Sequence, residues 1–342
     1  MVRSAYVKPA EMLVRAVREA AEAAFPGCEI GFEERIKGNG VRMTGLIVRE
    51  PGRDCVPIVY MDPRFVPADE EDARREASLL VERYKEARLV RMDAEEVLSD
   101  PETKLEVHAA NTALNTERLD GVIRKEMGEI TLYLFFRTGR DSGCLFRHTM
   151  LEQVHMTEEE AWKRGCENTA SRRRTGYLYE IMGETEEENA ARKQVYMVTS
   201  AHFRYGAAVF FLSPEVRREI REKLGGDYYA LPASVHEILA VRADHSDPGY
   251  LLETVRMANR DTVSEEEYLS GCIFFVGEDL RWKTIRAGDA CAQEGAEACR
   301  GNGRIPEEDA EENRAVGAGA ADGARPETGK GGADTDDLQD QE

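Results

Sequence analysis

The chain has 342 residues, of which 42% are hydrophobic and 33% charged, and a formal net charge of −20. The apolar share excludes a chain disordered throughout, and the length suits one large domain or two ordinary ones. So acidic a balance repels phosphate backbones at long range and disfavours general nucleic-acid binding.

The opening stretch MVRSAYVKPAEMLV does not read as a signal peptide, because Glu11, Arg15 and Arg18 interrupt its apolar run. No segment approaches the roughly 20 apolar residues of a membrane-spanning helix. No membrane association is expected, and the cytoplasm is the expected compartment. The seven cysteines (Cys28, Cys55, Cys144, Cys166, Cys272, Cys291 and Cys299) are odd in number and scattered. That pattern fits a reducing compartment, and without a C-x-x-C pair it supports neither a zinc ribbon nor a thioredoxin-like site.

Behind Pro9, residues Leu13, Ala16, Val17, Ala20 and Ala24 recur at helical spacing, and Pro26-Gly27 stops the helix they predict. Extended segments are expected over 28–37, 41–49 and 55–61, the first two joined by a Lys37-Gly38-Asn39-Gly40 hairpin turn. A second helix follows from about 69 to 87, with Ala73, Ala77, Leu80 and Tyr84 on one face. Between 88 and 128 the signals mix. Asp93 caps a short helix through Leu98, and Asp100-Pro101 breaks it. A strand with both faces covered is expected over 130–136, then a turn over 138–143 and a second strand over 144–150. Thr157 and Glu160 form a capping box for a helix carrying Trp162 and Cys166.

Residues 194–199 and 207–212 read as a hairpin of two strands. Ser213-Pro214 opens a helix with an apolar stripe of Val216, Ile220 and Leu224, and Gly225-Gly226 closes it. Short strands over 228–231 and 237–241, helices over 248–259 and near 264–269, and strands over 272–276 and 281–285 complete the pattern. Adjacent strands outnumber β-α-β alternation. The expected fold class is therefore α+β, with largely antiparallel sheets and packed helices. A natural division falls between 1–128 and 129–285, as two regions or one continuous domain. The stretch from 286 to 342 changes character. Residues 287–342 hold 15 Asp+Glu against 5 Lys+Arg. Such a segment buries too little apolar surface to offset its ordering entropy, so a disordered acidic tail is expected. It reads as a solubilising tail or as an acidic arm for a basic protein partner.

Three stretches of the second half carry a likeness. They are Glu167-Asn168-Thr169, then Val198-Thr199-Ser200 through Tyr205-Gly206-Ala207-Ala208-Val209, then Leu231-Pro232-Ala233-Ser234-Val235-His236-Glu237. In them the chain resembles the bacterial family of domain of unknown function 5688, over roughly residues 8–285. It departs from that pattern at Ala170, where proline is expected, and at Phe203–Tyr205, where a small polar turn is expected. The resemblance implies a bacterial source and a hairpin leading into a helix near 205. It implies no reaction, cofactor or partner.

Candidate site residues come from polar groups in those stretches. His236 beside Glu237 suits a general base or a metal ligand. The helical zinc pattern H-E-x-x-H fails at Ala240, and no G-x-S-x-G surrounds Ser234. The alternative reading is a structural turn. Asn168, Thr169 and Tyr205 join His236 and Glu237 as weak catalytic candidates. Lys163, Arg164, Arg172, Arg173 and Arg174 crowd basic charge into twelve residues. Arg172, Arg173 and Arg174 form a candidate anion site or a solvated surface. His148 and His155 with Glu152 lack a nameable third metal ligand, so no metal is assigned. No phosphate-binding glycine loop is present and no cofactor is expected. Two readings stand: a non-enzymatic binding or accessory protein, and an enzyme, possibly hydrolytic, with its site near His236, Glu237, Asn168 and Thr169.

Overall fold

A computed structural model describes residues 10–52, 56–62, 64–88, 98–139, 143–183 and 194–288. Helix α1 (Glu11–Ala24) turns Leu13, Ala16, Val17 and Ala21 inward, as their spacing requires. It packs on α2 (Glu70–Arg88), which buries Ala73, Ala77, Leu80, Val81, Tyr84 and Ala87. Strands β1 (Glu29–Ile36) and β2 (Arg42–Arg49) form an antiparallel hairpin, and β3 (Val59–Tyr60) pairs with β2. Ile30, Leu46 and Val48 close a core with the two helices, and the Val48 N–H donates to the Tyr84 hydroxyl at 2.9 Å.

The next sheet begins after the short helix α3 (Pro101–Lys104). Its strands are β4 (Leu105–Asn111), β5 (Arg124–Met127), β6 (Ile130–Arg137) and β7 (Gly143–Leu145). The order is β4-β6-β5, with β7 also on β6. Every residue of β6 but Arg137 is buried, as its unbroken apolar run implies. This sheet takes strands from both sides of residue 128. Helix α4 (Glu158–Ser171) lies on β4. Its capping box forms as expected: the Glu160 N–H donates to Thr157 Oγ1 at 3.2 Å and the Thr157 N–H to Glu160 Oε2 at 2.9 Å.

The third sheet is wholly antiparallel. Its strands are β8 (Arg173–Tyr177), β9 (Val195–Ser200), β10 (Tyr228–Pro232), β11 (Ile238–Arg242), β12 (Ile273–Val276) and β13 (Trp282–Ile285), in the order β13-β12-β10-β11-β9-β8. A single turn, α5 (Leu178–Ile181), follows β8. Helices α6 (Ala207–Leu212), α7 (Pro214–Leu224) and α8 (Pro248–Asp261) complete the elements of the described residues. Ser213 caps α7 through the Val216 N–H, and Gly225 ends it at φ 78°. The α+β class with antiparallel sheets stands as the sequence indicates.

Three elements differ from expectation. Residues 207–212 are helical, and the hairpin partner of β9 is β8. The run AAVFFL is apolar on every side and buried from Ala207 to Phe211, so it has no period to separate helix from strand. Residues 264–269 form no helix, only a turn over 265–267, and 148–150 form a 3₁₀ turn in place of a strand end. The short helix expected from Asp93 and the acidic tail fall on 89–97 and 289–342, outside the described residues.

The first hairpin is pinned to the rest of the molecule by its own turn. Asn39 sits at φ 57° and its N–H donates to Asn115 Oδ1 at 2.9 Å. Its Nδ2 donates to the carbonyls of Glu265 and Tyr268, each at 2.7 Å. Asn115 Nδ2 donates back to Asn39 Oδ1 at 2.7 Å. Gly38 permits this approach, because a Cβ there would lie 2.5 Å from the Glu266 carbonyl oxygen. Among the described residues no helix is long and apolar enough to cross a membrane.

Candidate functional site

The alternation of β4 sends Leu105, Val107 and Ala109 into the main core, leaving Glu106 and His108 on the opposite face. In register with them on β6 are Phe135 and Tyr133. This face floors a cleft of about 1180 Å³ of empty space, open to solvent. The 200–206 loop after β9, the 37–40 turn and the 266–267 segment form its walls.

Charge is unevenly placed in this cleft. Lys37, Arg118, Arg137, Arg172 and Arg204 line it, against Glu106, Glu266 and Glu267. Two guanidiniums meet one carboxylate. Arg172 Nη1 donates to Glu106 Oε1, and Arg137 Nε lies 3.1 Å from the same oxygen, too poorly aligned for a hydrogen bond. Burial pushes the Glu106 carboxyl up, but the His108 hydrogen bond and the two guanidiniums outweigh it and hold the group below its ordinary value. Glu106 is thus ionised, and one positive charge of the pair remains uncompensated beside the cleft.

His108 is 3% exposed. Its ring stacks on Tyr205 at 4.2 Å between centroids and on Phe135 at 4.5 Å. Burial lowers its pKa, with the Glu106 contact opposing, so the ring is neutral near pH 7. Its Nε2 faces Glu106 Oε2 at 3.4 Å, which places the proton there. Nδ1 is then an acceptor, and it has no hydrogen-bond partner among the described residues.

The residues singled out from sequence distribute as follows. Tyr205 lines the cleft at φ 52°, and its N–H donates to His236 Nδ1 at 3.0 Å. His236 stands behind Tyr205, with Nε2 3.0 Å from Glu267 Oε1. Thr169 lines the cleft, but its Oγ1 accepts the Val107 N–H at 2.8 Å. Asn168 donates to the carbonyls of Glu102 and Leu105 at 2.8 and 2.9 Å, fastening α4 to the start of β4. Glu237 accepts from Ser234 Oγ at 3.0 Å, and burial pushes its carboxyl up. The His236 ring thus pairs with Glu267 in place of Glu237, and the two neighbours are linked through Ser234 Oγ, which accepts the His236 N–H at 3.0 Å. Of the basic run, Arg172 reaches the cleft. Arg173 donates to the Ala170 carbonyl at 3.1 Å, and Arg174 stacks over Phe203 at 4.6 Å. Among the described residues no three His, Cys, Asp or Glu side chains gather as a metal site.

Sequence reasoning missed Lys37, Glu106, His108, Arg118, Arg137 and Arg204. One signal was available: Glu106 and His108 are polar positions two apart inside the apolar run LEVHAAN. Gly206 fixes the loop that carries Tyr205 and Arg204, because a Cβ there would lie 2.2 Å from the Ser200 nitrogen. The arrangement can hold a carboxylate or phosphate oxygen on the fork of Arg137, with the charge of Arg172 behind it.

No curated protein and no solved structure matches the chain. Residues 10–275 match the profile described as Family of unknown function (DUF5688), and the chain therefore belongs to that family.

Proposed function

We propose that the chain is a binding protein of the bacterial cytoplasm that holds a small anionic molecule in the β4–β6 cleft. The observation that carries this reading is the convergence of Arg137 and Arg172 on the single carboxylate of Glu106, in a chain whose net charge is −20. A local positive surplus in so acidic a molecule favours an anionic ligand. Among the described residues Cys28, Cys144, Cys166 and Cys272 form no disulfide, which fits a reducing compartment. The binding reading is preferred to the hydrolytic one because Asn168, Thr169 and Glu237 are engaged in bonds that fasten backbone and turn. The cleft takes Lys37 and Arg118 from residues 1–128 and Arg172 and Arg204 from 129–285, so for binding the chain acts as one continuous domain.

Native mass spectrometry of the chain purified gently from its own host tests this. The expected result is a retained acid of defined mass, with occupancy reduced about tenfold or more in Arg137→Gln, the scale of one charge-assisted hydrogen bond. Thermal unfolding of the variant checks that the fold survives. A chain that retains no small molecule, or retains one equally in R137Q, overturns the reading.

A further inference from the structure

His236 has both ring nitrogens committed, and to opposite roles. Nδ1 accepts the backbone N–H of Tyr205 at 3.0 Å, and a peptide nitrogen can only donate. The single ring proton of the neutral imidazole therefore sits on Nε2, which faces Glu267 Oε1 at 3.0 Å. A second proton must go to Nδ1, where it turns the acceptor into a donor opposed to the Tyr205 N–H. The same step strengthens the contact with the Glu267 carboxylate, which attracts a positive ring. One proton thus exchanges a hydrogen bond to the 200–206 loop for an ion pair to the 265–267 turn.

The residue held in this way is strained. Tyr205 sits at φ 52°, in the left-handed region that a bulky side chain rarely occupies, and Phe203 in the same loop sits at φ 59°. The neighbours of Tyr205 are fastened by bonds that do not use the ring. Gly206 N–H donates to the His236 carbonyl at 3.0 Å, and Arg204 N–H donates to Ser200 Oγ at 3.1 Å. Loss of the Nδ1 bond is therefore felt at Tyr205, whose own ring stacks on His108 at 4.2 Å in the cleft. We propose that His236 is a proton-operated latch on the cleft. Neutral, it holds Tyr205 over His108; protonated, it lets Tyr205 leave the left-handed backbone and uncover that part of the wall. The charged and titratable groups around the latch are Glu267 and Glu266 from the turn, Glu237 next in the chain, His108 from β4, and His202 and Arg204 from the loop. The latch acts on the cleft whatever the cleft binds, so it stands apart from the anion reading.

The test is nuclear magnetic resonance of the full chain across about pH 8 to 5, the interval over which a histidine switch operates. The ring shifts follow the charging of His236. Hydrogen exchange, corrected for its intrinsic dependence on pH, follows the protection of the Tyr205 amide. That protection is expected to fall about tenfold as His236 charges, the scale of one lost hydrogen bond, with the same midpoint as the ring. His236→Asn sets an amide oxygen near the place of Nδ1 and cannot take the charge, so it should keep the Tyr205 amide protected at every pH. His236→Ala should leave it unprotected at every pH. The wild-type titration decides the matter even if a variant fails to fold. A His236 ring that does not charge above about pH 5 overturns the latch. So does a Tyr205 amide whose protection ignores the charging of His236, or an H236N chain that keeps the wild-type response to pH.

Discussion

Replacing Asn39 by alanine should uncouple the first hairpin from the rest of the protein. The substitution removes two 2.7 Å donations to the carbonyls of Glu265 and Tyr268, and the acceptor of Asn115 Nδ2. Asn115 is 1% exposed, so its amide loses a partner that water cannot replace. Alanine must also hold the left-handed backbone of φ 57°, which asparagine tolerates better. Net hydrogen bonds of about 1 kcal/mol each, the stranded amide and the backbone term together come to about 4 kcal/mol. Glycine at the same position loses the bonds without the backbone term, so Asn39→Gly should be about 1 kcal/mol less damaging than Asn39→Ala. Urea unfolding followed by two signals reads this out. The two tryptophans, Trp162 and Trp282, both lie beyond the first hairpin and its helices, whereas far-ultraviolet circular dichroism reports the whole chain. In the alanine variant the dichroism transition should begin before the tryptophan transition. Coincident transitions with a loss under about 1 kcal/mol would show that the Asn39 bonds do not hold the two parts together.

Two further outcomes follow from the cleft. Gly206→Ala should destabilise by about 2 kcal/mol or more, because its Cβ would meet the backbone of Thr199 and Ser200, which cannot swing aside. A thermal scan showing a loss below about 0.5 kcal/mol would mean that the 200–206 loop yields freely. The second outcome concerns acid. Burial holds His108 below its ordinary value, so the unfolded chain takes up a proton that the native ring refuses. The His108 contribution is complete above about pH 6.5 and is lost as pH falls through the lowered folded value. Glu106, also held low, contributes fully above about pH 4.3 and loses its contribution below that. Stability measured against pH should therefore decline below pH 6.5, and His108→Phe should flatten that limb and also shrink the Glu106 limb, because the His108 contact is the first of those that hold Glu106 low. A wild-type curve flat from pH 6.5 to 5 would refute the neutral buried ring.

What the sequence made legible was local. The capping box at Thr157, the Ser213-Pro214 helix start and the 37–40 turn each depend on residues within four positions of one another, and each formed as read. The misreadings depend on tertiary contact. Ala207–Leu212 is helical because it is surrounded, and β8 was hidden in a basic run whose strand character comes only from pairing with β9. Residues 264–269 lack helical structure but supply three of the carbonyls around Asn39. The cleft was legible only at its margin. Tyr205, Thr169 and Arg172 were singled out for motif likeness or charge. Glu106 and His108 lie in the stretch 88–128, where alternation runs only from Leu105 to Ala109, and their meaning depends on β6, some 25 residues on.

The order of the third sheet has a consequence for life at high concentration. Among the described residues β8 and β13 are its outer strands, and an open strand edge is a template for another copy of the chain. Both edges carry exposed positive charge: Arg173 and Arg174 on β8 and Lys283 on β13. Edge-to-edge approach of two copies brings like charges together before any ladder of hydrogen bonds can close. The arginines that draw the eye as an anion site are in this position a deterrent against self-association.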